Sequence, residues 1–168
     1  MPLIKDGRFT SDKWLRPAPD ATLPWYGRLL LPLDRLLAEG PALDEAGHML
    51  GVEIPNNVAL ETVEPWLRRL HLIAIAFPKA ADGRGFTLAQ RLRRLGYKGE
   101  LRASGHVIPD QYALAISCGF DTVDISDALA ERQPEAHWRN AQHAMTITYQ
   151  TGSGNLRSIL AARWAAKA

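Results

Sequence analysis

At 168 residues, 46% hydrophobic and 23% charged, the chain has the composition of one globular domain, long enough to bury about 70% of its unfolded surface. Its formal charge of +2 is small and scattered, with no basic block, which argues against a nucleic-acid partner. Cys118 is the only cysteine, so no internal disulfide forms. The opening residues lack the apolar stretch of a signal peptide, and no segment approaches the ~20 apolar residues of a membrane span, so a cytoplasmic location without membrane partners is expected.

The first forty residues differ from the rest. Asp6-Gly7 between short strand-like flanks predicts a tight hairpin. A segment with Pro17, Pro19 and Pro24 follows, unsuited to regular structure. The apolar piece Gly27 to Leu31 leads into Leu33, Leu36 and Leu37 at helical spacing, ending near Gly40. Residues 1–40 therefore read as an N-terminal hairpin and helix cap on a single α/β domain spanning 1–150.

From Leu50 onward a strand–helix rhythm sets in. Leu50 to Ile54 is a short strand, and Leu60, Val63, Leu67 and Leu70 share a helix face. Leu72 to Phe77 is a continuous apolar run, as for a strand buried on both sides, and Phe86, Ala89, Leu92 and Leu95 mark the next helix before Gly96. Glu100 to Ala103 is the third strand, Asp110 to Cys118 a helix closed by Gly119, and Phe120 to Ile125 the fourth strand. Ser126 or Asp127 caps a further helix, and another is expected over Glu135 to Met145. Residues 151–168 read as a tail, with one helical turn at Ile159 to Ala162. Four such units predict parallel pairing, in either an open doubly wound sheet or a partial TIM-like barrel.

Parallel α/β folds gather ligands at the carboxyl ends of their strands, which selects a set of candidate residues. Gly83, Arg84 and Gly85 sit where a loop becomes a helix. Glycine admits close backbone approach, the helix start offers free N–H groups and arginine adds a forked cation, a combination suited to a small oxyanion. The alternative is a glycine-rich turn with Arg84 paired to Asp82. Arg102, Ser104 and Gln111 complete the expected anion-binding set, and the alternative for Arg102 is pairing with Glu100 or Asp121.

His106 and Asp110 are the candidate acid–base groups, against the plainer roles of turn residue and helix cap. Alternation sends Asp121 and Asp124 to opposite faces, so they form no acid–base pair. The scattered His48, His71, His106, His137 and His143, with one cysteine, give no metal framework. Cys118 in its apolar helix reads as a small core residue.

Gly83-Arg84-Gly85-Phe86-Thr87, Ala89 to Arg93, Gly96-Tyr97, Gly99 to Val107, Asp110-Gln111 and Gly119-Phe120-Asp121 together resemble the bacterial DUF934 family, over about Leu29 to Tyr149. The resemblance implies association with assimilatory sulfite reduction. Members are commonly encoded beside the haem-containing sulfite reductase and the adenylyl-sulfate-reducing enzyme, and some carry an oxidoreductase label. No cysteine pair, flavin or nicotinamide fingerprint or haem motif is present, so no cofactor is expected and catalysis stays open.

The function expected is that of an accessory protein of sulfite and sulfate reduction. It would bind the reductase, another enzyme of that route or a small oxyanion at the strand carboxyl ends. The alternatives are a small enzyme using His106 or Asp110 on an anionic metabolite, and a structural protein whose helix faces pair two copies.

Overall fold

Asp6 and Gly7 both take left-handed backbone angles, φ 50° and 69°, and so turn β1 (Leu3–Lys5) directly into β2 (Arg8–Thr10) as expected. In this computed structural model, which describes residues 2–18, 21–24, 26–144, 147–148 and 157–158, the hairpin lies at one edge of a seven-stranded sheet. The expected tail at 151–168, apart from residues 157–158, lies outside the described residues, as does the turn at Ile159 to Ala162.

The apolar piece after Gly27 is itself a sheet strand, β3 (Arg28–Pro32), followed by α1 (Leu33–Glu45). This is one more strand–helix unit than the sequence pattern counts. The helix runs past Gly40 and carries Pro41 inside it.

β4 (Met49–Ile54), α2 (Leu60–Val63) and a single 3₁₀ turn at Glu64–Trp66 come next. β5 (Leu70–Phe77) starts at Leu70, a residue its spacing assigned to the preceding helix. α3 (Arg84–Arg94), β6 (Glu100–Gly105), α4 (Pro109–Ser117), β7 (Thr122–Asp124), α5 (Asp127–Arg132) and α6 (Glu135–Ala144) follow. β8 (Ile147–Thr148) and β9 (Arg157–Ser158) pair separately.

Strand order is β2-β1-β7-β6-β5-β4-β3, with β3 to β7 all parallel and β1 antiparallel to β7. The parallel strands therefore lie in chain order. A doubly wound sheet reverses direction midway; this one does not, and matches the succession in a partial (β/α) barrel left open. The consequence is a sheet with two unlike faces.

Strand alternation assigns each residue to one face. Leu29, Leu31, Leu50, Val52, Ile54, Ile73, Ile75, Phe77, Leu101, Ala103 and Val123 share one continuous core with helix residues Leu36, Val63, Phe86, Leu92, Tyr112, Leu129 and Trp138. All six helices contribute to that side. The intervening strand residues face the other way. On β3, β4 and β5 these include Leu30, Leu72 and Ala74, a small second cluster completed by Trp14. On β6 and β7 they are Glu100, Arg102, Ser104, Thr122 and Asp124.

No helix among the described residues covers this second face. The extended segment 11–18 crosses it as a strap. Its Leu15 amide donates to Arg28 O at 2.9 Å, and the Leu30 amide donates to Leu15 O at 2.9 Å. The strap thus runs from the hairpin at the β7 side to the outer edge of β3. Gly51 lets it lie close, since a Cβ there would stand 3.0 Å from the Trp14 ring.

Candidate functional site

The glycine–arginine loop holds an oxyanion, and that oxyanion is the chain's own. Arg84 Nε and Nη2 donate to the two oxygens of Asp82 at 2.9 and 2.6 Å, and the Arg84 amide donates to Oδ1 at 3.3 Å. The Arg84 fork holds the Asp82 carboxyl well below the usual carboxylate range. Arg84 is 61% exposed.

Gly85 serves packing. Its Cα lies against the Phe77 ring, where a Cβ would come within 2.4 Å of Cζ, and Phe77 in turn packs with Phe86 and Phe120. Gly83, with an ordinary φ of −76° and open space around it, only starts α3. Gln111 ties the start of α4 to the loop after β5, donating to Ala80 O at 2.6 Å and accepting from the Ile108 amide at 3.4 Å. His106 and Asp110 are exposed. The His106 amide donates to Phe77 O, and neither side chain has a hydrogen-bond or ion-pair partner among the described residues.

Arg102 does not join this group. It is 1% exposed, in mid-strand on the strap side, while Arg84 opens a helix packed on the other face. The expected shared rim of Arg84 and Arg102 is therefore absent. The reason is parity: Leu101 and Ala103 take the helix-facing positions, which forces Arg102 beneath the strap. There it donates to both oxygens of Asp12, at 2.6 and 3.1 Å, and to Glu100 at 3.0 and 3.2 Å. Thr122 also donates to Glu100, at 2.6 Å.

A second ion-pair group lies further along the strap. Arg16 donates to Asp124 Oδ2 and has Asp12 at 3.6 Å and Glu53 at 3.8 Å. Ser104 donates to the same Asp124 oxygen at 3.5 Å. Asp121, separated from Asp124 as alternation predicts, accepts instead from Arg93 at 2.6 Å and from the Leu101 amide at 2.7 Å.

A concavity of about 900 Å³ opens where the parallel strands begin, at the end away from the expected site. Its walls are Thr10 at the end of β2, the strap residues Ser11 to Trp14, β1, and the turns that lead into β6 and β7. Both turns are set by helix ends of one kind. Gly96 (φ 89°) and Gly119 (φ 102°) leave α3 and α4 in the left-handed region, and the next residues, Tyr97 and Phe120, donate back to Leu92 O and Ala115 O. Arg93 locks the two ends together, donating to Gly119 O, Tyr97 O and Gly99 O at 2.8 to 3.0 Å.

The guanidinium groups inside the concavity are thus all neutralised: Arg102 by Asp12 and Glu100, Arg93 by Asp121. Its outer wall differs. Lys5, Lys13, Arg28 and Lys98 are exposed and have no carboxylate partner among the described residues.

Asp12, Arg16 and these four cations are missed by a search confined to strand carboxyl ends. Asp12 finds its partner Arg102 ninety residues away in sequence, and nothing local to Asp12 announces that. Polar–apolar alternation in Glu100-Leu101-Arg102-Ala103 was the available signal: it marks a charged sheet face that some other segment must cover.

Burial pushes the Cys118 thiol up from its ordinary value, consistent with a core role. No group of three His, Cys, Asp or Glu among the described residues could hold a metal ion. No helix among them is long and apolar enough to cross a membrane.

No curated protein matches the chain. A family model, described as a bacterial protein of unknown function (DUF934), matches residues 51–159. The match takes in β5, β6 and β7, with Arg102 and Asp124; β1, β2, β3, α1 and the strap precede it. Covering more than half of the sequence, that match agrees with the motifs around Gly83-Arg84-Gly85 and Arg102 to His106, and the chain belongs to the DUF934 family.

Proposed function

We propose that the chain is an accessory protein of assimilatory sulfite reduction that acts by binding a protein partner, with the sulfite reductase the first candidate. The pathway comes from the genomic company of the family. The mode of action is supported by one observation above all: the arginines expected to clamp a small oxyanion, Arg84 and Arg102, are already paired with Asp82 and with Asp12 and Glu100. At Arg102, 1% exposed beneath the strap, a free sulfite ion would have to break a buried ion pair, which is costly; at the exposed Arg84 it would compete with a carboxylate two residues away in a site that solvent screens.

The alternative of a small enzyme needs His106 or Asp110 beside a cationic cradle. Both are exposed, neither lines the concavity, and no guanidinium is paired with either. Binding is the simpler use of this surface.

Deletion of the gene, with growth scored on sulfate, sulfite and cysteine, tests the pathway. Growth restored by cysteine alone is the expected result. Rescue by sulfite as well would move the defect upstream of sulfite reduction, and normal growth on sulfate would remove the proposal.

A further inference from the structure

We infer that the concavity at the strand-start end of the sheet is a docking surface for an acidic face of a partner protein. The inference rests on the binding role proposed above and gives it a location and a partner chemistry. Six cations line this surface: Lys5, Lys13, Arg28, Arg93, Lys98 and Arg102. The four carboxylates are Asp6, Asp12, Glu100 and Asp121. Three of the four are committed, Asp12 and Glu100 to Arg102 and Asp121 to Arg93. The exposed groups without an ion-pair partner among the described residues are therefore Lys5, Lys13, Arg28 and Lys98 against Asp6, while Asp121, also exposed, is paired with Arg93.

These four come from separate parts of the chain and reach one surface by strand parity. Ile4 points into the helix-side core, which sends Lys5 to the strap side; Leu29 does the same for Arg28. Lys98 stands in the turn entering β6, and Lys13 stands on the strap itself. A smaller concavity of about 530 Å³ shares Lys5, Asp6 and Thr10 and adds exposed Arg8, which extends the positive band along the hairpin.

The spacing favours a surface over a small ion. An exposed cation in water attracts a single anion weakly, because solvent screens it. A free oxyanion touches one or two such groups and fills little of a 900 Å³ opening. A protein face carrying several carboxylates meets all four at once, and the summed field steers its approach. The adjoining sheet edge offers no strand-addition site in competition, since the outward amide of β2, that of Phe9, donates to Glu135 at 3.0 Å.

The test uses the full chain and a labelled decaglutamate peptide, followed by fluorescence anisotropy in about 25 and about 300 mM salt. The wild-type chain should bind the peptide, and higher salt should weaken binding at least about tenfold. The variant Lys5→Glu/Lys13→Glu/Arg28→Glu/Lys98→Glu should show none. Arg28→Ala/Lys98→Ala, which removes charge without reversing it, should keep the fold and weaken binding severalfold. Undiminished binding to both variants would overturn the inference. So would full competition by millimolar sulfite or phosphate, which marks a small-ion pocket, or tighter binding of a single-stranded oligonucleotide of equal charge.

Purified sulfite reductase in place of the peptide separates this inference from the reading it rests on. Equal binding of reductase to wild-type and charge-reversed chains would remove this surface and leave the accessory role standing. Peptide binding that depends on the four residues, with no reductase binding, would keep the surface and remove the proposed partner.

Discussion

Arg102 and Asp12, ninety residues apart, form a two-point ion pair that pins the strap to the middle of the sheet. Arg102 is the more deeply enclosed partner, at 1% exposed. Its removal leaves Glu100 without its ion-pair partner and Asp12 with only the more distant Arg16, at 3.6 Å. Arg102→Met is expected to cost about 3–5 kcal/mol of stability, as for other buried pairs broken on one side. Asp12→Asn, which keeps Glu100 on Arg102, should cost less, and the double variant less than the sum. Urea denaturation of the three proteins measures all of this, and additive losses would show that the two residues do not act as a pair.

The same pair sets an acid limit. Burial alone would raise the Asp12 carboxyl, but hydrogen bonds from Arg102 and the Trp14 amide, with the charges of Arg102 and Arg16, outweigh it and hold the group below its ordinary 3.8. A carboxyl lowered by folding contributes stability that is present above its unfolded value, near 4, and lost as pH falls through the folded value. The urea midpoint should therefore lose this contribution progressively below about pH 4. In Asp12→Asn that part of the slope should be missing; an unchanged acid profile in the variant would contradict the assignment.

Gly83 and Gly85 separate packing from ligand binding. Gly85→Ala places a methyl 2.4 Å from Phe77 Cζ and should cost about 1–3 kcal/mol, since the Phe77, Phe86 and Phe120 rings must shift together. Gly83→Ala meets nothing within 4 Å at a φ any residue adopts, and should be neutral or stabilising by up to about 1 kcal/mol. Thermal melting of the two variants checks the contrast, and equal losses would refute it.

Cys118 is buried within the helix-side core, and its thiol is pushed up by that burial. It should react with a disulfide reagent at neutral pH far more slowly than free cysteine, and at the ordinary rate once urea unfolds the chain. Rapid labelling of the native protein would show a reactive thiol instead.

The fold was legible where local chemistry decides it. Asp6-Gly7 fixes the hairpin, the continuous apolar run to Phe77 marks a strand covered on both sides, and Gly96 and Gly119 end their helices. Leu70 was misplaced because an apolar residue between two elements fits either period. β3 is not separable from a cap on local grounds, because a five-residue strand beside prolines gives no sign of which sheet it joins.

The candidate site was legible as chemistry and misplaced as geometry. Arg84 does grip an oxyanion, but Asp82, two residues away, reaches it first. The burial of Arg102 depends on Asp12 and a strap whose destination is set by tertiary packing alone. Neither partnership can be ranked against a ligand from residue types.

Recognition of carboxylates on a protein partner is the role proposed for this surface. It is tested most directly by measuring the dissociation constant of the full chain with purified sulfite reductase at about 50 and about 500 mM salt. The expected result is a complex at low salt that is lost at high salt and on reversing Lys5, Lys13, Arg28 and Lys98. No complex at low salt, or one indifferent to both salt and charge reversal, would contradict it.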